Sequence, residues 1–118
     1  MAYVGKVSVY TATLASGVTL SSAIDLGGSW GKIAIGIPSM ASGGNTVIHG
    51  SDAIDGTFVP LYLIPTSSPN IPAQVSIASS VSNGIVPVDV MPCQFVKVGV
   101  STAATATPYT FKLYCSTN

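Results

Sequence analysis

The chain has 118 residues, four lysines, four aspartates and neither arginine nor glutamate, so its formal net charge is zero. Only 7% of it is charged and 47% is hydrophobic, against about 25% charged for an ordinary soluble domain. That balance speaks against disorder, which needs charge and few apolar residues, and against a phosphate-binding surface, since four scattered lysines make no basic patch.

The predicted elements are strands. Residues 4–14 open the chain with an alternation in which Val7, Val9 and Thr11 oppose Lys6, Ser8 and Tyr10. A second strand is expected over 17–21, then a single helical turn near Ser21–Ile24. In the strand over 30–37, Ile33, Ile35 and Ile37 share one face and Lys32, Ala34 and Gly36 the other. Further strands are expected over 45–50, 57–64, 73–78 and 84–90. In the strand over 94–101, Val96, Val98 and Val100 oppose Phe95, Lys97 and Gly99. A possible ninth, over 108–115, sets Tyr109, Phe111, Leu113 and Cys115 against Thr110, Lys112 and Tyr114. Each alternation is what a strand with one buried face requires, and every lysine falls opposite the aliphatic stripe.

Turn clusters such as "LGGS", "ASGGN", "TSSPN" and "SNG" separate these segments at the spacing of a sandwich or barrel. Prolines inside apolar runs (Pro60, Pro65, Pro72, Pro87) point to edge strands. The expected fold is all-β: one antiparallel β-sandwich of jelly-roll type, about eight strands, filling residues 1–118 as a single domain. An immunoglobulin-like sandwich competes, but Trp30 precedes both cysteines, which is the wrong order for it. A chain of this length can bury a core without disulfide or metal.

Sparse charge leaves little to oppose association, so much of the surface is expected to be covered by other protein. No apolar run reaches the roughly 18 residues of a membrane-spanning helix. The start lacks the apolar stretch of a signal peptide, and Met1 leads to the expectation of a complete chain made in a cytoplasm. There Cys93 and Cys115 are expected as two reduced thiols; their spacing fits neither a CxxC pair nor a zinc set.

The richest stretch chemically is "HGSDAIDGTFVP", residues 49–60, with the only histidine and two of the four aspartates. Asp-Gly between two strand-like runs is a turn signal. Asp52 is expected to accept backbone N–H bonds and Gly56 to supply positive φ, which accounts for the carboxylates without chemistry. A calcium loop needs oxygen ligands at alternating positions, where this chain has Ala53 and Ile54. Catalysis lacks a constellation: His49 has no evident partner by sequence unless Cys93 or Cys115 meets it in space, and Gly27-Gly28 and Gly43-Gly44 open no helix that could cradle a phosphate. Trp30, Tyr62, Tyr109 and Tyr114 could make a sugar platform, although polar groups to read hydroxyls are few. The expectation is a protein that is not an enzyme and needs no cofactor or metal.

Two stretches carry a resemblance: "LSSAIDLGGSWGKIAIGIPSM" and "VIHGSDAIDGTFVPLY". The elements are Ile24–Gly27, Trp30 before an apolar strand ending at Ile37–Pro38, Gly50–Ser51, and Asp55–Phe58 leading into another apolar strand. Over about half of its length the chain resembles small virion structural proteins of tailed bacteriophages. The resemblance implies a capsid decoration (cement) protein, with a neck, tail or head-fibre subunit as the alternative; a carbohydrate-binding module in host adsorption, resting on the aromatic residues, is a further alternative from a different class. It implies the major capsid protein as partner, a homotrimer and a place on the capsid surface of the virion; the sparse lysines and the lack of a long apolar run speak separately against nucleic acid and membrane as ligands. The residues expected to make those contacts are Met1, Ala2, Tyr3 and Val4 of the N-terminal arm, Ser42, Gly43 and Gly44 in one loop, and Pro69, Asn70 and Ile71 in another.

Overall fold

The computed structural model of the protein describes residues 7–27, 30–40, 44–63, 73–77, 83–91, 93–105 and 107–116. Regular structure among them is entirely β: β1 (Val7–Leu14), β2 (Ile24–Asp25), β3 (Trp30–Ile37), β4 (Thr46–Ser51), β5 (Val59–Pro60), β6 (Tyr62–Leu63), β7 (Ala73–Gln74), β8 (Ser76–Ile77), β9 (Gly84–Met91), β10 (Phe95–Val100) and β11 (Tyr109–Ser116).

Two antiparallel sheets pack against each other. The first has the order β1-β11-β3-β9; the second has β2-β10-β4-β5, with β8 also on β4, while β6 and β7 pair apart. With β6, β7 and β8 set aside, the eight remaining strands are nested. First pairs with last (β1 with β11), second with seventh (β2 with β10), third with sixth (β3 with β9) and fourth with fifth (β4 with β5). A long hairpin rolled into two sheets has this order, and it is a jelly roll. The fold class expected from the alternations is the fold observed.

Alternation explains the core. Ile33, Ile35 and Ile37 on β3 and Tyr109, Phe111, Leu113 and Cys115 on β11 turn inward from the first sheet. Ile48 on β4 and Val96, Val98 and Val100 on β10 meet them from the second. Each such aliphatic or aromatic side chain contributes about 1.5–3 kcal/mol when fully buried. Lys32 and Lys112 point outward, and Lys97 is half-buried on the outer face. Pro60 and Pro87 stand on β5 and β9, the last strands of their sheets, where a missing N–H breaks no ladder.

Four expectations need correction. On β1 the faces are reversed: Ala12 and Leu14 are buried and Tyr10 is half-buried, while Val7, Val9 and Thr11 look outward. Pairing with β11 sets this, because Leu14 lies opposite Tyr109, Ala12 opposite Phe111 and Tyr10 opposite Leu113. The helical turn near Ser21–Ile24 is absent. Residues 19–26 instead run extended beside β10, where Val100 donates to the Thr19 carbonyl, Ser21 N–H to the Val98 carbonyl, and Val98 N–H to Ser21 Oγ at 2.9 Å. That hydroxyl replaces a backbone acceptor, so the expected strand over 17–21 is reduced to a bridge between Leu20 and Gly99. Finally, the strand over 57–64 is broken at Leu61, which donates to the Ile48 carbonyl and accepts from Val75 N–H. One segment thereby serves two neighbours, β4 and the β6–β7 pair.

Candidate functional site

The outer face of the second sheet holds the titratable cluster. His49 on β4 lies directly opposite Lys97 on β10 and Pro60 on β5. The turn after β4 brings Phe58 back over this face, and Lys97 Nζ sits 4.7 Å from its ring centroid, close enough for a cation–π contact. The turn is held by Ser51, not by Asp52. Ala53 N–H donates to Ser51 Oγ, at 3.2 Å, and Gly56 N–H to the Ala53 carbonyl, at 3.1 Å. Nor is Gly56 at positive φ; the positive-φ glycines among the described residues are Gly17, Gly27 and Gly44. Gly56 is needed for room, since a Cβ there would stand 2.7 Å from Ser51 Oγ. The carboxylate that does cap a turn is Asp25. Its Oδ1 accepts from Gly27 N–H at 2.8 Å and from Gln94 Nε2 at 2.9 Å, and these bonds hold its pKa below the ordinary value.

His49 is kept neutral. Burial, and then the charge of Lys97 opposite, push its pKa below the usual 6.5, and its Nδ1 is buried without a hydrogen-bond partner. The unfolded chain takes up the proton near pH 6.5, whereas the folded chain resists it to lower pH. Protons therefore favour unfolding: this contribution to stability is whole above pH 6.5 and is lost as pH falls through the folded value. We expect the urea midpoint to drop between about pH 7.5 and about pH 5, and His49→Gln to lose much of that drop. Asp25 acts in a lower window, because its stabilisation fades only below its ordinary value of 3.8. An equal drop in His49→Gln would assign the pH dependence elsewhere.

Nucleophilic chemistry finds no pairing here. Cys115 is buried between the sheets, and burial pushes its thiol pKa up, away from the reactive thiolate. Cys93 covers Gly50, whose Cβ would lie 2.8 Å from its Sγ. Gly50 and His49 are adjacent on β4 and face opposite sides, so the sheet separates this thiol from the imidazole. Both thiols are free. Among the described residues no three His, Cys, Asp or Glu side chains group as a metal would need, and no helix is long and apolar enough to cross a membrane.

The three described aromatic candidates disperse; the side chain of Trp30 lies outside what the structure describes. Tyr109 is in the core, edge-on to Phe111, Tyr62 is exposed on β6, and Tyr114 is half-buried on the outer face of the first sheet. Tyr114 leans over Gly36, where a Cβ would come within 3.1 Å of its ring. Beside it lies an open groove of about 310 Å³ lined by Gly36, Asn83, Ile85, Thr110 and Lys112 among others.

Of the expected contact residues, Gly44 is described; Met1, Ala2, Tyr3, Val4, Ser42, Gly43, Pro69, Asn70 and Ile71 lie outside the described residues. Gly44 has φ +95° and packs so tightly that a Cβ would stand 2.8 Å from Thr102 N. Its neighbour Asn45 donates to Ser101 Oγ at 2.7 Å and accepts from Ser101 N–H. At Gly44, then, the observed role is closing the loop onto residues 101–102.

What the sequence reading missed is the outer face of the first sheet. Val9, Tyr114, Ala34 and Pro87 form one row across it, and Thr11, Lys112, Gly36 and Ile85 the next. Val7, Val9 and Ile85 are 68%, 52% and 63% exposed. The available signal was that β1 is apolar on both faces, which a sheet with one solvated face does not need. Ile54, Val59 and Tyr62 add exposed apolar area around the second sheet. Comparison with protein-family models, with curated proteins and with solved structures returned no match.

Proposed function

We propose that this chain is a non-enzymatic virion structural protein, a decoration protein that binds the assembled head of a tailed bacteriophage and stabilises it. The observation that carries the reading is exposed apolar surface on a nearly uncharged jelly roll. Val7, Val9 and Ile85 stand out from one sheet, and Ile54, Val59 and Tyr62 lie around the other. Val7 and Val9 are neighbours on one face of β1, and exposed apolar residues with little charge to keep other protein away support an interaction role. The resemblance over residues 20–62 supplies the kind of partner, a shell of repeated capsid subunits.

The mechanism is mass action. A protein that binds only the assembled shell lowers the free energy of that state by its binding energy. Many copies, each spanning neighbouring subunits, gain by avidity what one modest contact lacks. No reaction is needed, and none of the side chains described above has to titrate or attack. A carbohydrate-binding module is the second reading, favoured by the groove between Tyr114, Lys112 and Asn83.

The test is the copy number of this chain in purified virions, by quantitative mass spectrometry against the major capsid protein. We expect a simple ratio to the capsid subunits. A handful of copies would move the protein to the neck or tail, and its absence from the particle would remove the structural reading altogether.

A further inference from the structure

Five strands end the two main sheets, and four of them are guarded against pairing with another chain; β8, which shares the edge of β4 with β5, is only two residues long. β9 carries Pro87 and Asp89, and its register against β3 shifts twice. β5 is two residues long and one is Pro60. β2 is two residues long with Asp25, and the line leading to it is interrupted where Ser21 Oγ takes the Val98 N–H. Proline, charge, irregularity and shortness are the means by which sheet edges avoid adding strands.

β1 has none of these guards. Its sequence, VSVYTATL, contains no charge, proline or glycine. All eight residues pair with β11 without a break, so the strand is regular along its length. Among the described residues nothing pairs with its other edge. The chain at 21–24 runs alongside β1 across a cleft of about 240 Å³ at Thr11, Ala12 and Thr13, and among the described residues no backbone hydrogen bond joins the two. The outward carbonyls and N–H groups of β1 form a template for one more strand.

We infer that β1 is a self-association edge, at which two copies of this chain pair antiparallel about a two-fold axis and join their first sheets into one. The occupant is a second copy because a two-fold contact sets a strand against itself. A charged strand would then oppose like charges, which is destabilising, and β1 brings none. Directly opposed residues point to the same side, so the outer faces coincide only when odd positions meet odd ones. The register with Tyr10 opposite Tyr10 of the second copy satisfies this. It sets Val9 against Thr11 and Val7 against Thr13, pairs of β-branched residues that suit a sheet surface, and gives the exposed side chains of Val7 and Val9 cross-strand neighbours. One strand pair is a small interface, below about 1,200 Å², so the dimer depends on concentration. The inference rests on β1 alone and holds whether or not the protein is found in virions.

The experiment is sedimentation of the full chain over a wide concentration range, beside a Val9→Lys, Thr11→Lys variant. These positions are exposed, and the change places lysine against lysine across the axis. We expect a monomer–dimer equilibrium whose dissociation constant rises at least about tenfold in the variant. Mixing that variant with Val9→Asp, Thr11→Asp restores the affinity that each variant alone loses. In the unmodified chain, exchange of β1 backbone amides slows as concentration rises, a readout that needs no variant to fold. A monomer at every concentration, a trimer, or a dimer indifferent to the lysines overturns the inference.

Discussion

Replacing Phe111 with alanine costs about 3–5 kcal/mol, the range for truncating a large buried aromatic. Phe111 is the largest of the fully buried side chains, sits on β11 between β1 and β3, and meets Tyr109 edge-on with ring centroids 6.5 Å apart. Its loss removes transfer free energy, leaves a cavity and takes away the Tyr109 contact. A domain of ordinary stability has about 5–15 kcal/mol in total, so the variant stands near the threshold of unfolding. Equilibrium urea denaturation should show a much lower midpoint. Thr110→Ala, one residue away and facing solvent, should stay within about 0.5 kcal/mol. If the two variants unfold together, the core does not centre on β11.

Gly44→Ala is the second large effect. Backbone strain at φ +95° costs about 1–3 kcal/mol for a residue with a side chain, and the new methyl must also displace Thr102 N from 2.8 Å. Gly17 is the control. It has φ +81°, but nothing lies within 4 Å of its Cβ position, so Gly17→Ala bears the backbone term alone. Thermal unfolding of both variants separates the two contributions, with Gly44→Ala expected to melt lower. Equal melting temperatures would mean that the loop yields to the methyl at no cost. Any loss of partner binding in Gly44→Ala must be read against this loss of fold.

The alternations at 33–37, 96–100 and 109–115 made the fold legible, because in each the strongly apolar residues occupy one parity only. β1 was misread for the opposite reason. Both its parities carry apolar residues, and only the pairing of Leu14, Ala12 and Tyr10 with the inward row of β11 decides between them. That long-range fact has no local trace. Segment 57–63 was hard for a related reason, since Leu61 divides its hydrogen bonds between β4 and Val75. At the site, the Asp-Gly turn was legible, but the capping oxygen was assigned to Asp52 where Ser51 serves. The contact of Lys97 with Phe58 and the exposed rows on the first sheet depend on register across strands, which spacing along one strand does not contain.

The nested order of the strands also governs how the molecule can be made. Val7 pairs with Ser116 and Leu14 with Tyr109, and β11 is flanked by β1 on one side and β3 on the other. β1 and β3 are synthesised before β11, the strand that joins them. Until β11 is made they have no common neighbour, and the first sheet cannot close. Folding, being dominated by non-local pairing, is therefore slow. During that interval an uncharged, regular strand is exposed in the cell, and chaperone demand should fall on the newest chains.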